Sequence, residues 1–319
     1  MRYLIVGGTS IFGEPLVDIL LQKKTTEEIL ATKLPGEKYY ERKHLSWSDL
    51  DLRDIEATNE LVKNANADVI FDFATQDSVG YAWDNPGETV DVNVIGTINL
   101  LNAIRDAGYK PRVIIGGSGE EYGRIPFDEL PIQEDVTPRP VNIFGATKAC
   151  QTMFAKLYAR AYGMDVVVLR TFNETSVKQD DKWAISSFCH QFIRIEMKKQ
   201  EPVIYVGNIN NKRDFTDVVD LSRAFAMVAE KGKSGEIYNA ALGESASLKD
   251  IIDQLEQMTG IQVEIKMDAS RVRPIDSPAT IADVTKINQE TGWKAEVPMH
   301  KTLEDLLAYW RSVESKEGK

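Results

Sequence analysis

The stretch Tyr3-Leu4-Ile5-Val6-Gly7-Gly8-Thr9-Ser10-Ile11-Phe12-Gly13 decides the fold. Its first four residues form a continuous apolar run, the pattern of a strand buried on both faces. Leu16, Val17, Leu20 and Leu21 then recur at helical spacing. Between strand and helix lies a glycine loop, with Gly7 and Gly13 at the ends of a G-x-x-x-x-x-G span. A turn this tight needs residues without a Cβ. A pyrophosphate likewise needs close approach to backbone N–H groups at a helix N-terminus.

Outward from this loop the alternation continues. Residues 29–31, 69–71, 113–115 and 166–169 read as further short buried strands, and the stretches around 94–104 and 146–162 as helices. Strand alternating with helix at this rhythm predicts an α/β protein, a Rossmann-type doubly wound parallel sheet covered on both sides. The last third reads differently. Ser247 is placed to cap a helix carrying Leu248, Ile251, Ile252, Leu255 and Met258, which Gly260 stops. Val263, Ile265 and Met267 alternate as a strand, and a final helix from Thr302 buries Leu303, Leu306, Leu307 and Trp310. These elements predict a smaller C-terminal α/β substrate-binding lobe.

Composition bounds the partners. The 319 residues carry a net charge of -11, which argues against a nucleic-acid or anionic-membrane surface. A chain this long removes about three quarters of its unfolded surface from water. No stretch approaches the ~20 apolar residues of a membrane span. Cys150 and Cys189 read as buried thiols in a reducing compartment, and His44, His190 and His300 show no ligand spacing for a metal. The expectation is a soluble, cytoplasmic protein without a metal.

Three segments then fall in register. Gly116-Gly117-Ser118-Gly119-Glu120-Glu121-Tyr122-Gly123 follows the strand at 113–115, at the sheet edge where ligands bind in such folds. Phe144-Gly145-Ala146-Thr147-Lys148 opens a helix, and Arg170-Thr171-Phe172-Asn173 ends the next strand. With Gln76-Asp77-Ser78-Val79-Gly80, Lys212-Arg213-Asp214-Phe215-Thr216-Asp217-Val218 and Arg271-Val272-Arg273-Pro274, these segments resemble the extended short-chain dehydrogenase/reductases. The resemblance covers nearly the whole chain. It lies in the NAD-dependent epimerase/dehydratase branch that holds GDP-mannose 4,6-dehydratase and GDP-4-keto-6-deoxy-mannose reductase, with Ser118 to Gly123 nearer the reductase.

The resemblance implies hydride exchange between a nicotinamide and a sugar carbon, normally C4. By its positions, Ser118 hydrogen-bonds the reacting oxygen, and Lys148 holds the nicotinamide ribose and tunes a tyrosine one helical turn earlier. Glu120 matches the carboxylate that removes the C5 proton in dehydratases. The tyrosine itself is replaced by Phe144, which has no titratable oxygen. Three accounts stay open: an engineered Tyr-to-Phe variant, a natural enzyme that takes its proton from Glu120, Glu121, Tyr122 or water, or a nucleotide-sugar binder without catalysis.

The same resemblance places Gly7, Thr9, Ser10, Ile11, Phe12 and Gly13 around the cofactor pyrophosphate, with Ser10 standing where a third glycine is usual. Thr32 and Lys33 occupy the position of the acid that binds the ribose hydroxyls of NAD, so NAD and NADP both stay open. Asp51 and Leu52 match an adenine contact, a helix cap being the other reading of Asp51. Phe73, Ala74, Thr75 and Asn93 complete the cofactor set. On the substrate side stand Gln76, Ser78, Glu121, Asn173 and Asn208, the last equally a plain turn. Arg213 and Arg273 match residues that clamp a nucleoside-diphosphate pyrophosphate, a task that suits a planar, permanently charged guanidinium. A GDP-sugar is favoured by analogy. Glu174 stands in place of a family histidine, and residues 177–183 replace a glycine- and proline-rich loop.

Trp183, Trp293 and Trp310 read as packing. The helices at 93–104 and 144–162 are those by which such enzymes pair into homodimers. The lobes are expected to interleave, with 1–172 plus about 212–236 in the nucleotide-binding domain, 173–211 plus 237–313 in the other lobe, and a frayed tail at 314–319.

Overall fold

The computed structural model describes residues 1–268 and 277–317. Its strands are β1 (Arg2–Val6), β2 (Glu28–Lys33), β3 (Leu45–Asp49), β4 (Val69–Asp72), β5 (Arg112–Ser118), β6 (Asp165–Thr171), β7 (Glu174–Thr175), β8 (Val203–Val206), β9 (Lys212–Arg213), β10 (Thr216–Asp217), β11 (Ile237–Ala240), β12 (Ala246–Ser247) and β13 (Glu264–Met267). The helices are α1 (Gly13–Leu21), α2 (Ile55–Ala65), α3 (Val79–Asp84), α4 (Pro86–Val90), α5 (Gly96–Asp106), α6 (Ile143–Tyr162), α7 (Ala184–Glu196), α8 (Val218–Lys231), α9 (Leu248–Thr259), α10 (Thr285–Thr291) and α11 (Met299–Glu317). A π-helical turn, Asp91–Ile95, joins α4 to α5.

Seven parallel strands form the main sheet in the order β11-β6-β5-β4-β1-β2-β3. Successive side chains on a strand point to opposite faces, and here both faces are apolar. Tyr3, Ile5, Phe71, Ile114 and Val167 pack with Leu16 and Leu20 of α1 and Leu221 and Phe225 of α8. On the other face Leu4, Ile70, Val113, Ile115 and Val166 pack with Val62 of α2, Leu101 of α5 and Ala155 of α6. Each fully buried Leu, Ile, Val or Phe contributes about 1.5–3 kcal/mol, so the sheet is stable only when sandwiched. The chain runs outward from β1 to β3 and returns to β4. The strand order therefore reverses between β1 and β4, where a crevice opens at the carboxyl ends.

The smaller lobe is built from α7, α9 and α11 with the parallel pair β8–β13, around Phe188, Phe192, Ile252, Leu306 and Trp310. Two short ladders cross between the lobes, β7 with β10 and β9 with β12. Asp214 fixes this crossing by accepting the N–H groups of Leu242, Gly243 and Ala282.

Two sequence expectations change here. Residues 237–240, assigned above to the lobe, are the seventh strand, fully buried and paired to β6. Ile287 of α10 and Trp293 also pack into the main core beside Leu221 and Tyr238, so the chain returns to the sheet once more. A four-residue strand and a seven-residue helix carry too little periodicity to reveal this.

The tail at 314–319 was expected to fray, yet α11 starts at Met299, ahead of Thr302, and continues to Glu317. The buried Glu314 side chain gathers His190 at 2.7 Å, Arg194 at 3.3 Å and Lys199, while His190 stacks on Trp310. The Lys199 hydrogen bond, joined by that of His190, outweighs burial and draws the Glu314 carboxyl down to about 2. Its folded pKa thus lies below the ordinary 4.5. The ionised carboxylate therefore stabilises the fold above that value, and the contribution is lost as pH falls toward 2. Glu314→Gln is expected to lower stability at pH 7 and to flatten the loss between pH 4.5 and 2 in urea unfolding.

Candidate active site

β1 delivers Gly7 at φ +74°, a left-handed conformation in which a side chain is strained. The loop is drawn onto the neighbouring strands by two bonds, Gly7 N–H to the Thr32 hydroxyl at 3.0 Å and Gly8 N–H to the Thr32 carbonyl at 2.8 Å. A Cβ on Gly7 would lie 2.8 Å from the Ala74 nitrogen, and one on Gly13 would lie 1.9 Å from the Gly8 oxygen. Backbone therefore meets backbone at both glycines. Ser10 gives its N–H to the Gly7 carbonyl, so its hydroxyl is the group left to offer, buried and without a partner. Helix α1 begins at this loop with no side-chain cap. An orphaned hydroxyl beside an uncapped helix N-terminus fits a dinucleotide pyrophosphate.

Several residues expected to touch the cofactor are engaged elsewhere. Thr32 is buried, with its hydroxyl on Gly7. Lys33 is ion-paired with Asp49. Asp51 forms a 2.6 Å pair with Arg53, whose hydrogen bonds hold the carboxyl below its usual range, while Asp54 is the cap of α2. Leu52 is buried and gives its carbonyl to Asn99. Asn93 accepts from the Thr75 hydroxyl and Gln76 N–H, and donates to the Gln76 carbonyl and Thr147 hydroxyl. Both of its donors and its acceptor oxygen are thereby occupied, so Asn93 braces the 75–76 segment and offers no free group to a ligand. Ala74 N–H goes to Asp72. Ile11, Phe12, Phe73 and Thr75 do face the cleft, together with Ser10.

The floor of the cleft is the carboxyl end of β5 and β6, where Ser118 and Thr171 are register partners. Glu120 N–H donates to the Ser118 hydroxyl at 3.2 Å, and Ser118 N–H donates to Glu121 at 2.9 Å, a capping box that closes the turn after β5. Glu121 is entirely buried and paired at 2.7 Å with Arg170. The Arg170 guanidinium lies over the Tyr122 ring, and the Tyr122 hydroxyl donates to Asn239. The sequence offered Glu121 for the substrate, and both Glu121 and Tyr122 as proton carriers. The structure buries them together beneath the cleft, because the Arg170 charge needs a carboxylate more than the surface does.

Glu120 faces the cleft and accepts from the Asn142 amide at 2.7 Å. The Asn142 carbonyl oxygen caps α6 through Gly145 N–H. A Cβ on Gly145 would sit 2.4 Å from the Glu120 carbonyl, which explains the glycine. Phe144 and Lys148 lie one turn apart on α6 and both line the cleft. Lys148 is buried, and its ammonium makes no hydrogen bond or ion pair with any described residue. Burial lowers its pKa, opposed by the carboxylates of Asp72, Glu121, Glu174 and Asp77. Burial also lifts Asp72 to about 6, with one carboxyl oxygen unpartnered.

On the substrate side Asn173 and Arg213 line the cleft. Thr75, Asp77 and Val79 do as well, and alternation along this extended segment turns Gln76 and Ser78 away, Ser78 capping α3. Asn208 is exposed and forms a turn with Asn210 and Asn211. Arg271 and Arg273 lie outside the described residues. Trp293 and Trp310 are core, but Trp183 borders the cleft with Gln179 and Glu174. In the sequence, Glu174 was marked only by replacing a family histidine, and Gln179 and Trp183 only by the departure of 177–183 from the family pattern.

A glycine cradle at the sheet's switch point and a Ser118–Lys148 pair on one cleft define an extended short-chain dehydrogenase/reductase, a class of nicotinamide-dependent nucleotide-sugar enzymes. The family model described as GDP-mannose 4,6 dehydratase matches residues 4–306, and the chain belongs to that family. It is similar to the GDP-6-deoxy-D-mannose reductase of Pseudomonas aeruginosa, 27% identical over 299 residues that span 90% of this chain and 98% of the relative. It is also similar to the UDP-glucose 4-epimerase of Streptococcus mutans, 26% identical over 97% of this chain and 95% of the relative. Among solved structures, RMD from Pseudomonas aeruginosa complexed with NADPH superposes with a TM-score of 0.86 at 26% identity, covering 98% of this chain and all of that one. The UDP-glucose 4-epimerase of Thermotoga maritima with UDP-glucose reaches 0.89 at 24% identity, over 98% of this chain and all of that one, a likeness of fold.

Removing one partner of a buried ion pair strands the other charge at a cost of about 3–5 kcal/mol. Glu121→Gln is therefore expected to lower unfolding free energy by roughly that amount. The folded fraction should bind nucleotide sugar as the parent does by calorimetry, whereas a substrate contact would lose affinity at unchanged stability.

Proposed function

We propose that this chain is a nicotinamide-dependent enzyme acting at C4 of a nucleoside-diphosphate hexose, in the direction of 4-keto reduction and with a GDP-sugar as substrate. One observation carries the reading: Lys148 keeps a buried, unengaged ammonium on the same cleft as the Ser118 hydroxyl and the glycine cradle. A buried cation without a partner is costly, and a ribose diol with a reacting oxygen between Lys148 and Ser118 would relieve it. The name of the Pseudomonas aeruginosa reductase and the NADPH in the related structure support the reading. So does the catalytic character of the relatives, which favours an enzyme over a binder without catalysis.

The nicotinamide would supply or take the hydride. The Ser10 hydroxyl and the α1 N-terminus would hold the cofactor pyrophosphate, and Lys148 its nicotinamide ribose. Ser118 would hydrogen-bond the oxygen on C4. Arg213 would meet the nucleoside-diphosphate charge, with Asn173 beside it. Because Lys33 is held by Asp49, it does not decide between NAD and NADP. Purified protein is expected to bind NADPH or NADH by fluorescence titration and to oxidise one of them with a GDP-4-keto-6-deoxy-hexose. Failure to bind either cofactor would overturn the reading.

Assembly as a homodimer belongs to the same proposal. Met153 and Leu157 on α6 are 62% and 50% exposed, and Ile95 before α5 is 42% exposed. These apolar residues lie on the two helical segments whose pairing between copies would give a four-helix contact. Sedimentation is expected to show a dimer, and Leu157→Glu a monomer.

A further inference from the structure

Phe144 leaves the cleft without a phenol, yet a C4 oxygen that gains or loses a hydride equivalent must still exchange a proton. The candidates named from sequence are reduced by the fold, since Glu121 and Tyr122 are buried beneath the floor. Glu120 faces the cleft with one oxygen already on the Asn142 amide. Glu174 remains. β6 ends at Thr171, and the chain turns through Phe172 and Asn173, so that Glu174 folds back over that strand end. Its carboxyl accepts from the Thr171 hydroxyl at 2.5 Å. Thr171 is the register partner of Ser118, and side chains at paired positions of a parallel sheet stand on one face. One Glu174 oxygen is thus anchored beside Ser118, on the cleft that Lys148 and Phe144 also line.

We propose that Glu174 is the proton donor to the C4 oxygen, in place of the phenol that Phe144 lacks, with Thr171 orienting it. This rests on the C4-redox reading above. The C4 carbonyl carbon takes a hydride from reduced nicotinamide, and its π pair moves to oxygen. That oxygen takes the Glu174 proton, forming the hydroxyl. The carboxylate left behind is reprotonated from water. Reversed, the carboxylate removes the hydroxyl proton as hydride leaves C4.

The surroundings favour the protonated form of this acid. Burial raises the Glu174 pKa, the Thr171 hydrogen bond lowers it, Asp77 raises it and Lys148 lowers it, with a net rise. Among the described residues the charged groups that act on it are Asp77, from the segment after β4, and Lys148, from α6, while Glu120 and Arg213 line the same cleft. Reduction needs the protonated form, so kcat should fall as pH rises through the raised Glu174 pKa. Oxidation should show the opposite slope.

The experiment compares wild type, Glu174→Gln, and Glu174→Gln with Phe144→Tyr, using a GDP-4-keto-6-deoxy-hexose and the reduced cofactor. Positioned acids are worth about 10²–10⁴-fold. Glu174→Gln should lose kcat in that range at near-constant KM and lose the pH limb, and the added tyrosine should restore a large part. In a second readout without cofactor or substrate, infrared spectra followed against pH should show in wild type a protonated-carboxyl stretch that persists above the ordinary glutamate value of 4.5 and that Glu174→Gln lacks. If Glu174→Gln does not fold, Glu174→Asp, which keeps the acid but draws it back by one methylene, should lose about tenfold. With Glu120→Gln run alongside, a Glu174→Gln enzyme as fast as wild type, a loss confined to Glu120→Gln, or a Glu174 carboxyl that titrates at or below the ordinary 4.5 overturns the assignment alone. A wild type that binds cofactor and sugar but never transfers hydride overturns the C4-redox reading, and this proposal with it.

Discussion

The cleft depends on the buried pair between Glu121 and Arg170. Two charges taken out of water repay their desolvation only when geometry is good and the remaining hydrogen-bonding capacity is met. Here the Glu121 carboxylate takes both the Arg170 guanidinium and the Ser118 N–H. Tyr122 covers the guanidinium face and ties onward to Asn239 in β11. The ends of β5, β6 and β11 are thereby joined under the active face. Ser118 is presented at a fixed angle because the residue three places on is anchored below it.

From this floor the rest of the site is assembled by backbone contact. Gly145 lets α6 close against the Glu120 carbonyl, which sets the height of Phe144 and Lys148. Gly7 and Gly13 do the same for the opposite wall, where β1 and β4 part. Loops that carry the chemistry are thus fixed by close approach at glycines, and a single Cβ at any of these points would displace the wall.

The sheet was legible because its signals are local. Continuous apolar strands and a glycine turn are read within a few residues, and the motif stretches marked Ser118, Glu120, Lys148, Asn173 and Arg213 as cleft residues. What escaped was decided by partners distant in sequence. Thr32 and Asn93 have the right chemistry for a ligand, but Gly7, 25 residues away, and Gln76, 17 residues away, take their capacity. Glu121 is claimed by Arg170 across 49 residues. The seventh strand pairs with β6 only after an excursion through the smaller lobe, so nothing beside residues 237–240 announces it.

Net charge says nothing about the cleft. A total of -11 describes the surface, whereas the cleft sets one buried ammonium, Lys148, among Asp72, Asp77 and Glu174. Burial disfavours the charged form of each carboxyl, and the single ammonium offsets that cost only in part. Burial is what raises the Asp72 and Glu174 pKa values against the pull of Lys148, with Asp77 adding a smaller push at Glu174. A tyrosine beside a lysine solves proton transfer by lowering a phenol from above neutrality. Burial moves a carboxyl the other way, upward, which is the direction Glu174 takes. The replacement at Phe144 and the acid at Glu174 are therefore physically complementary, since removing the phenol leaves the proton inventory to the group whose pKa the cleft raises.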